Sequence, residues 1–237
     1  MGGGMAGDDY SDILASIIEA PRDRPFVVAQ LGQSLDGRIA TPTGESRWIN
    51  RDAALDHVHR LRAAVDAVIV GIGTALADDP MLNVRRVEGR NPIRVVIDPS
   101  GRLPETARCL ADDGTRRIVI EADDLDSRRL LPAGVELVRI ARARGALPPR
   151  AIIAALHERG MRRFLVEGGA TTVSAFIDDR VVDRLHVLIA PAILGSGKAG
   201  LSLAPISRLE EALRPPTRVH VLEDGDVLFD CDLGSLI

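Results

Sequence analysis

From Pro25 onward, the chain alternates between short runs of consecutive apolar residues and longer stretches whose apolar residues recur three or four apart. The short runs predict strands at 26–32 (FVVAQLG), 66–71 (DAVIVG), 93–97 (IRVVI), 117–121 (RIVIE), 135–140 (VELVRI), 162–167 (RRFLVE) and 186–191 (HVLIAP). Runs without polar alternation, such as 66–71, suit the middle of a parallel sheet covered on both faces. Helical periodicity predicts helices over about 51–64, 149–159 and 170–178. In the first of these, Leu55, Val58, Leu61 and Ala64 share a face, and Asn50 or Asp52 can cap the start. Near the C-terminus the step Asp224-Gly225 separates two alternating runs, a strong hairpin signal. The expected fold class is α/β: a mostly parallel central sheet flanked by helices, ending in an antiparallel hairpin.

Residues 25–237 read as one domain, since no internal repeat or long linker interrupts them. Residues 1–24 read as an N-terminal extension. Its glycine-rich start, 1–9, is expected to be disordered. Residues 11–20 (SDILASIIEA) are expected to form a short amphipathic helix with Ser11 as N-cap and Pro21 as stop.

Composition narrows the function. Hydrophobic residues make up 46 % of the chain but aromatics only 3 %, so Ala, Val, Ile and Leu must build the core. A net charge of −4 argues against a nucleic-acid partner. No apolar run approaches the ~20 residues of a membrane span, and no basic-then-apolar leader opens the chain. The expected location is therefore the cytoplasm, with no membrane partner. Cys109 and Cys231 lie far apart without CxxC spacing and read as buried or idle thiols. His57 and His59 are two apart, on different helix faces, so they make no metal pair, and no metal is expected. Lys198 is the single lysine, which disfavours a Schiff-base mechanism.

Three segments hold the candidate chemistry. In RFLVEGGATT (163–172) a strand ends at Glu167, Gly168 and Gly169 turn the chain, and a helix begins. Free N–H groups at that helix start, with the hydroxyls of Thr171 and Thr172, can hold a phosphate. Read alone, an ordinary strand-to-helix turn fits as well, and the spacing is not GxGxxG. In VIVGIGTALADDP (68–80) a second buried strand runs into Gly71, Gly73 and Thr74. Asp78 and Asp79 follow, either as paired carboxylates or as caps of a turn before Pro80. In SLDGRIATPTGESRWI (34–49), Ser46 and Trp48 are expected on one side of an extended strand, with Trp48 either core or a cofactor platform. Arg62, Arg85 and Arg86 qualify as anion anchors.

Together these segments resemble the pyrimidine reductases of riboflavin biosynthesis, whose fold is like that of dihydrofolate reductase. The shared pattern is SLDGRIA (34–40), GESRWI (44–49), HRLRAAVDAVIVGIGT (59–74), ADDPMLNVR (77–85), NPIRVVID (91–98), FLVEGG (164–169) and LIAPAILG (188–195), in family order. The resemblance implies NADPH as cofactor, contacted by Gly32, Trp48, Thr74 and Asp78. The run Gly169, Ala170, Thr171, Thr172, Val173, Ser174 and Ala175 joins them. The glycine turns at Gly71, Gly73 and Gly168 are read as parts of the same crevice. The resemblance also implies that Ser46, Arg62, Leu82, Arg85 and Glu167 hold a ribosylaminopyrimidine phosphate. The family reaction reduces that substrate's ribosyl chain to ribityl, with hydride passing to the sugar C1′ of an imine formed by the substrate's own amine. Glu167 and Asp36 are the candidates for orienting polar groups or relaying a proton. A homodimer is expected, with strand 186–191 and the hairpin as the pairing region.

Two departures shape the expectation. Family members fused to a deaminase usually carry a lysine where this chain has Gln30, which makes it more similar to stand-alone reductases. The HxE and PCxxC patterns of a zinc deaminase are also missing. Two competing readings remain: a reductase of a pterin or dihydrofolate-like ring, and a non-catalytic nucleotide-binding protein.

Overall fold

The computed structural model describes residues 9–47, 49–126 and 130–236. The strands are β1 (Phe26–Ser34), β2 (Arg38–Ala40), β3 (Ala67–Gly71), β4 (Ile93–Ile97), β5 (Arg117–Ala122), β6 (Val135–Ile140), β7 (Arg163–Glu167), β8 (Arg184–Ala190), β9 (Lys198–Ala199), β10 (Thr217–Val221) and β11 (Val227–Asp232). The α-helices are α1 (Asp9–Ile18), α2 (Asp52–Ala64), α3 (Ile72–Asp78), α4 (Pro149–Glu158) and α5 (Ala170–Asp178). A nine-stranded sheet runs β10-β11-β8-β1-β7-β3-β4-β5-β6, parallel from β8 to β6 and closed on one side by the antiparallel hairpin β10–β11. The expected α/β architecture is the observed one.

Strand β7 enters between β1 and β3, although β3 to β6 have by then been laid outward one after another. Chain direction across the sheet therefore reverses beside β7, and such a switch point opens a crevice at the carboxyl ends of the strands. Both faces are covered, which explains the unbroken apolar runs. Val27, Ala29, Ile69 and Val166 pack under α4 and α5, with Ile152, Leu156 and Phe176. Val28, Val68, Val70 and Leu165 face the opposite layer, with Ile17 of α1 and Leu61 of α2.

Several local expectations change. Helix α1 begins at Asp9, so Ser11 lies within it and not at its N-cap, and it ends at Ile18, before Pro21. Ile13 and Ile17 are buried, which docks the helix onto the body of the sheet. Residues 1–8, most of the expected disordered start, lie outside the described residues. The extended strand expected around Ser46 is a loop: Thr41 N–H donates to Glu45 O, and Gly44 N–H to Thr41 O, closing a tight turn at the Pro42-Thr43-Gly44 punctuation. None of the described helices is long and apolar enough to cross a membrane. Cys109 and Cys231 are free thiols, and burial pushes Cys109 up to about 11.

Neither Asn50 nor Asp52 caps α2. Arg51 occupies the N-cap position without a side-chain cap, and the caps come from the hairpin turn instead. Asp226 accepts the Arg51 N–H at 2.9 Å and Asp224 accepts the Ala53 N–H at 2.8 Å. The hairpin thus binds α2 through the orphan donors of its first turn.

The same contact buries a polar file. His57 Nε2 of α2 lies 3.0 Å from His186 Nδ1 of β8, and the far side of His186 meets Asp230 of β11 at 3.2 Å. Burial, then the neighbouring His186, drives the His57 pKa well below the ordinary 6.5. Burial would raise the Asp230 carboxyl, but His186 and Arg184 outweigh it and hold it at about 2. A histidine whose folded pKa is depressed opposes protonation, so the unfolded chain binds more protons below 6.5 and stability declines as pH falls through that value. His59, held at about 4 by burial and then by Arg62, adds in the same direction. Chemical denaturation followed from pH 7.5 to 5 is expected to lose stability below about 6.5, by up to roughly 1.4 kcal/mol per pH unit per proton. The decline should be shallower in His57→Phe; an identical slope in that variant excludes His57 as its source.

Candidate active site

The carboxyl ends of β1, β3, β4 and β7 open into one cleft of about 1190 Å³. This exceeds the roughly 300–1,000 Å³ of single small-molecule pockets, so there is room for two ligands side by side. Among the described residues, seven cationic side chains line it (Arg47, Arg62, Arg85, Arg102, Arg108, Arg142 and Lys198) against three carboxylates (Asp78, Asp79 and Glu167). In a chain of net charge −4 this is a focused positive site, suited to anionic ligands.

One wall consists of two strand-to-helix turns locked together. Gly168, at φ +102, leads from β7 into α5, and the Gly169 N–H donates to Thr74 Oγ1 at 2.8 Å. A Cβ on Gly168 would stand 2.5 Å from that same oxygen, whereas a Cβ on Gly71 would collide with Thr172 Oγ1. Each turn therefore lacks a side chain where the other inserts a threonine. With Gly169 at the N-cap and no side-chain cap, the first amides of α5 have no carbonyl partner within the helix. Gly73, at the start of α3, has open space where a Cβ would be. The two glycine turns expected at one crevice are neighbours there.

The floor is a buried ion pair. Arg62, in the last turn of α2, forks onto Glu167 at the end of β7: Nε–H to Oε1 at 2.7 Å and Nη2–H to Oε2 at 2.6 Å. Its Nη1–H donates to Asn83 O at 3.0 Å. Burial opposes the Arg62 charge, but Glu167 outweighs it and raises the guanidinium pKa. Gln30 of β1 stands in register beside Glu167 and also lines the cleft. Arg62, read from sequence as a phosphate anchor, thus spends most of its donors holding Glu167 and the 83 carbonyl.

Arg85 sits at the rim. Its backbone N–H donates to His59 Nδ1 at 3.1 Å and its Nη1–H to Asn83 Oδ1 at 2.9 Å. Burial, then the nearby charges of Arg62, Arg108 and Arg86, lowers its pKa. Cations crowded in this way gain by binding an anion. Asp79, at φ 40, closes α3, and its carboxylate accepts the Arg108 N–H at 2.8 Å. It therefore anchors a neighbouring segment, and Asp78 stands exposed at the end of the same helix. Buried Leu82, at φ 54, is a second non-glycine residue in left-handed backbone, a strain of order 1–3 kcal/mol that clusters at functional sites.

Of the residues expected at the cofactor, Gly32, Gly71, Gly73, Thr74, Asp78 and Gly168 line the cleft, with Gly169, Thr171, Thr172 and Ala175. Ala170, Val173 and Ser174 do not; Val173 faces the core, and Ser174 Oγ accepts the Ser202 N–H. Of those expected at the substrate, Ser46, Arg62, Leu82, Arg85 and Glu167 all line it. Trp48 lies outside the described residues. Arg86 turns away to Asp52 and Asp56 of α2, at 2.8 and 2.5 Å. Asp36 is not in the lining: Ser34 Oγ–H and the amides of Leu194 and Gly195 all donate to its carboxylate. The Ser34 bond, then the Leu194 amide, holds that carboxyl at about 2, so it stays ionised at neutral pH and has no proton to give. Among the described residues, no group of three His, Cys, Asp or Glu is placed to hold a metal.

Sequence reasoning missed Arg102, Arg108 and Arg142, which belong to no motif, and considered Lys198 only as a nucleophile. All four reach the cleft from segments distant in sequence, Lys198 from the short strand β9, that only the folded chain brings together.

Residues 25–218 match the family model described as RibD C-terminal domain. The chain is 39 % identical over 180 residues to the 2,5-diamino-6-ribosylamino-4(3H)-pyrimidinone 5′-phosphate reductase of Methanothermobacter thermautotrophicus, covering 74 % of this chain and 82 % of that protein. It is 33 % identical over 211 residues to the riboflavin biosynthesis protein RibD of Aquifex aeolicus, covering 88 % of this chain but only 58 % of that protein. Among solved structures, the diaminohydroxyphosphoribosylaminopyrimidine deaminase/5-amino-6-(5-phosphoribosylamino)uracil reductase of Thermotoga maritima superposes with a TM-score of 0.71 at 30 % identity, over 93 % of this chain and 59 % of that one. The dihydrofolate reductase of Enterococcus faecalis shares the fold, with a TM-score of 0.51 at 11 % identity, over 87 % of this chain and 96 % of that one.

Proposed function

The chain belongs to the RibD C-terminal domain family, and from that premise we propose that it is a reductase of riboflavin biosynthesis. In this reading it uses NADPH to convert the ribosyl side chain of a ribosylaminopyrimidine 5′-phosphate to ribityl. The substrate is 5-amino-6-ribosylaminouracil 5′-phosphate or its 2,5-diamino counterpart. The observation that carries the reading is the pairing, in one cleft, of an interlocked glycine wall with a buried Arg62–Glu167 floor.

The residues present fit a nicotinamide dinucleotide. The first amides of α5, the side-chain-free surface at Gly73 and Gly169, and the excess of cations suit a diphosphate. When bound, the reduced nicotinamide supplies the hydride. The protein positions the two reactants and excludes water. Arg85, which makes no ion pair among the described residues and is crowded by other cations at the rim, is the anchor for the substrate phosphate. Glu167, fixed by two charge-assisted bonds, presents a carboxylate of set orientation to the substrate's polar groups. Asp78 and Thr74 face the cofactor from α3.

In this proposal the protein is a cytoplasmic homodimer whose single reductase domain begins at residue 25. Strand β8, first considered for pairing across subunits, is flanked on both sides by β1 and β11. Within that region the edge strand β10, with Val219 and Val221 exposed, is the surface proposed for pairing.

Purified protein with NADPH and each candidate pyrimidine tests the reading by loss of nicotinamide absorbance. Oxidation with a ribosylaminopyrimidine phosphate is expected; oxidation with dihydrofolate alone assigns a pterin-type substrate instead, and cofactor binding without oxidation by any substrate makes the chain a binding protein. Arg85→Glu should raise the pyrimidine KM on the order of 100-fold while leaving the NADPH Kd within about twofold. Loss of NADPH binding in that variant would show that the two halves of the cleft have been exchanged.

A further inference from the structure

Lys198, the single lysine of the chain, stands over the wall assigned to the cofactor. Its Nζ is 3.9 Å from where a Cβ on Gly169 would lie, beside the turn that opens α5. Among the described residues no carboxylate is in ion-pair contact with it, whereas Arg62 is neutralised by Glu167. Its position is built by the backbone around it. Lys198 belongs to β9, which pairs with β2 (Ala40 opposite Lys198), and Gly200 N–H donates to Gly37 O at 3.0 Å. Gly197, at φ +131, lies so close to β2 that a Cβ there would collide with Ala40 O. Ahead of it, the Asp36 carboxylate receives the Leu194 N–H at 3.0 Å and the Gly195 N–H at 2.8 Å, tying the 194–197 loop to the β1–β2 turn.

We propose that Lys198 binds the diphosphate of the dinucleotide at the Gly168–Gly169 turn, and that Asp36 is the positioning residue that holds its loop in place. The assignment rests on the reading of the cleft as an NADPH site. It explains two features which that reading leaves over: a cation held beside a clamped loop with no acidic partner among the described residues, and an Asp36 carboxylate outside the cleft whose oxygens are taken up by Ser34 and the Leu194 and Gly195 amides. A lysine is a compact point charge with three donors, and beside the first amides of α5 it would add its charge to the donors available to a diphosphate. Asp36 touches no reactant in this scheme and acts only through the loop.

The test is equilibrium binding of NADPH and of inorganic pyrophosphate to the whole apo protein, followed by NADPH fluorescence and calorimetry. Lys198→Gln should weaken both ligands by about tenfold or more, as expected for loss of one charged hydrogen-bonding partner, and Lys198→Arg should restore most of the affinity. Asp36→Asn should weaken NADPH in the parent protein but add nothing in the Lys198→Gln background, a non-additivity that general destabilisation does not produce. Wild-type protein that binds NADPH normally alongside an equally tight Lys198→Gln variant overturns the assignment. Additive losses from Asp36→Asn and Lys198→Gln overturn the positioning role. Wild-type protein that binds no NADPH removes the reading of the cleft itself, and this proposal with it.

Discussion

Replacing Arg62 by methionine is expected to lower the unfolding free energy by about 3–5 kcal/mol, because it leaves the Glu167 carboxylate buried without its counter-charge. Both side chains are about nine-tenths covered, so little solvent screening reduces the penalty. The same change is expected to cut turnover by on the order of 100-fold, since Glu167 loses both bonds that fix its direction. The double substitution Arg62→Met with Glu167→Leu separates the two effects. With both charges gone the cavity is apolar and filled, and most of the stability should return. Turnover should not, because no carboxylate faces the substrate. Urea denaturation and NADPH oxidation measured on wild type, Arg62→Met and the double variant decide it. A double variant that regains activity removes Glu167 from the site; an Arg62→Met variant as stable as wild type means that the pair is not held in a dry interior.

That ion pair also marks how far the sequence could be read. Both partners were legible as site residues from their motifs, yet their direct contact was not, because β7 is threaded between β1 and β3 and no local spacing encodes that insertion. Strand and helix positions were readable wherever burial imposed a period: 93–97 and 135–140 coincide with β4 and β6, and 170–178 with α5. Reading failed where partners distant in sequence replace a local signal. The cap of α2 comes from Asp224 and Asp226 some 170 residues later, so neither Asn50 nor Asp52 was needed there. Helix α3 follows β3 without an intervening loop, so Gly71 and Gly73, which looked like turn residues, are its N-cap and second position. Asp36 is the reverse case: the residue was visible, but its role depends on a loop more than 150 residues away.

The glycine wall predicts two losses of different kind. Gly71→Ala is expected to destabilise the protein by about 1–3 kcal/mol and to weaken NADPH binding, since the new methyl group occupies the place of Thr172 Oγ1. Gly71 has φ −81, a conformation alanine adopts freely, so the conflict is purely one of space. Adding Thr172→Ala removes the clashing oxygen, and the pair should return to the stability of Thr172→Ala alone, or exceed it slightly because alanine restricts the unfolded chain. Gly168→Ala should lose more. Its φ of +102 strains any residue with a Cβ, and the methyl group would also meet Thr74 Oγ1, Cγ2 and Cβ at 2.5–3.0 Å. Thr74→Ala cannot rescue it, because the strained backbone and the Thr74 Cβ contact both persist and the Gly169 amide loses its acceptor. Thermal melts and NADPH titrations on the two pairs should therefore diverge: recovery for Gly71→Ala with Thr172→Ala, and none for Gly168→Ala with Thr74→Ala. Equal recovery in both would locate the whole penalty in side-chain crowding and leave the left-handed turn at Gly168 without a structural role of its own.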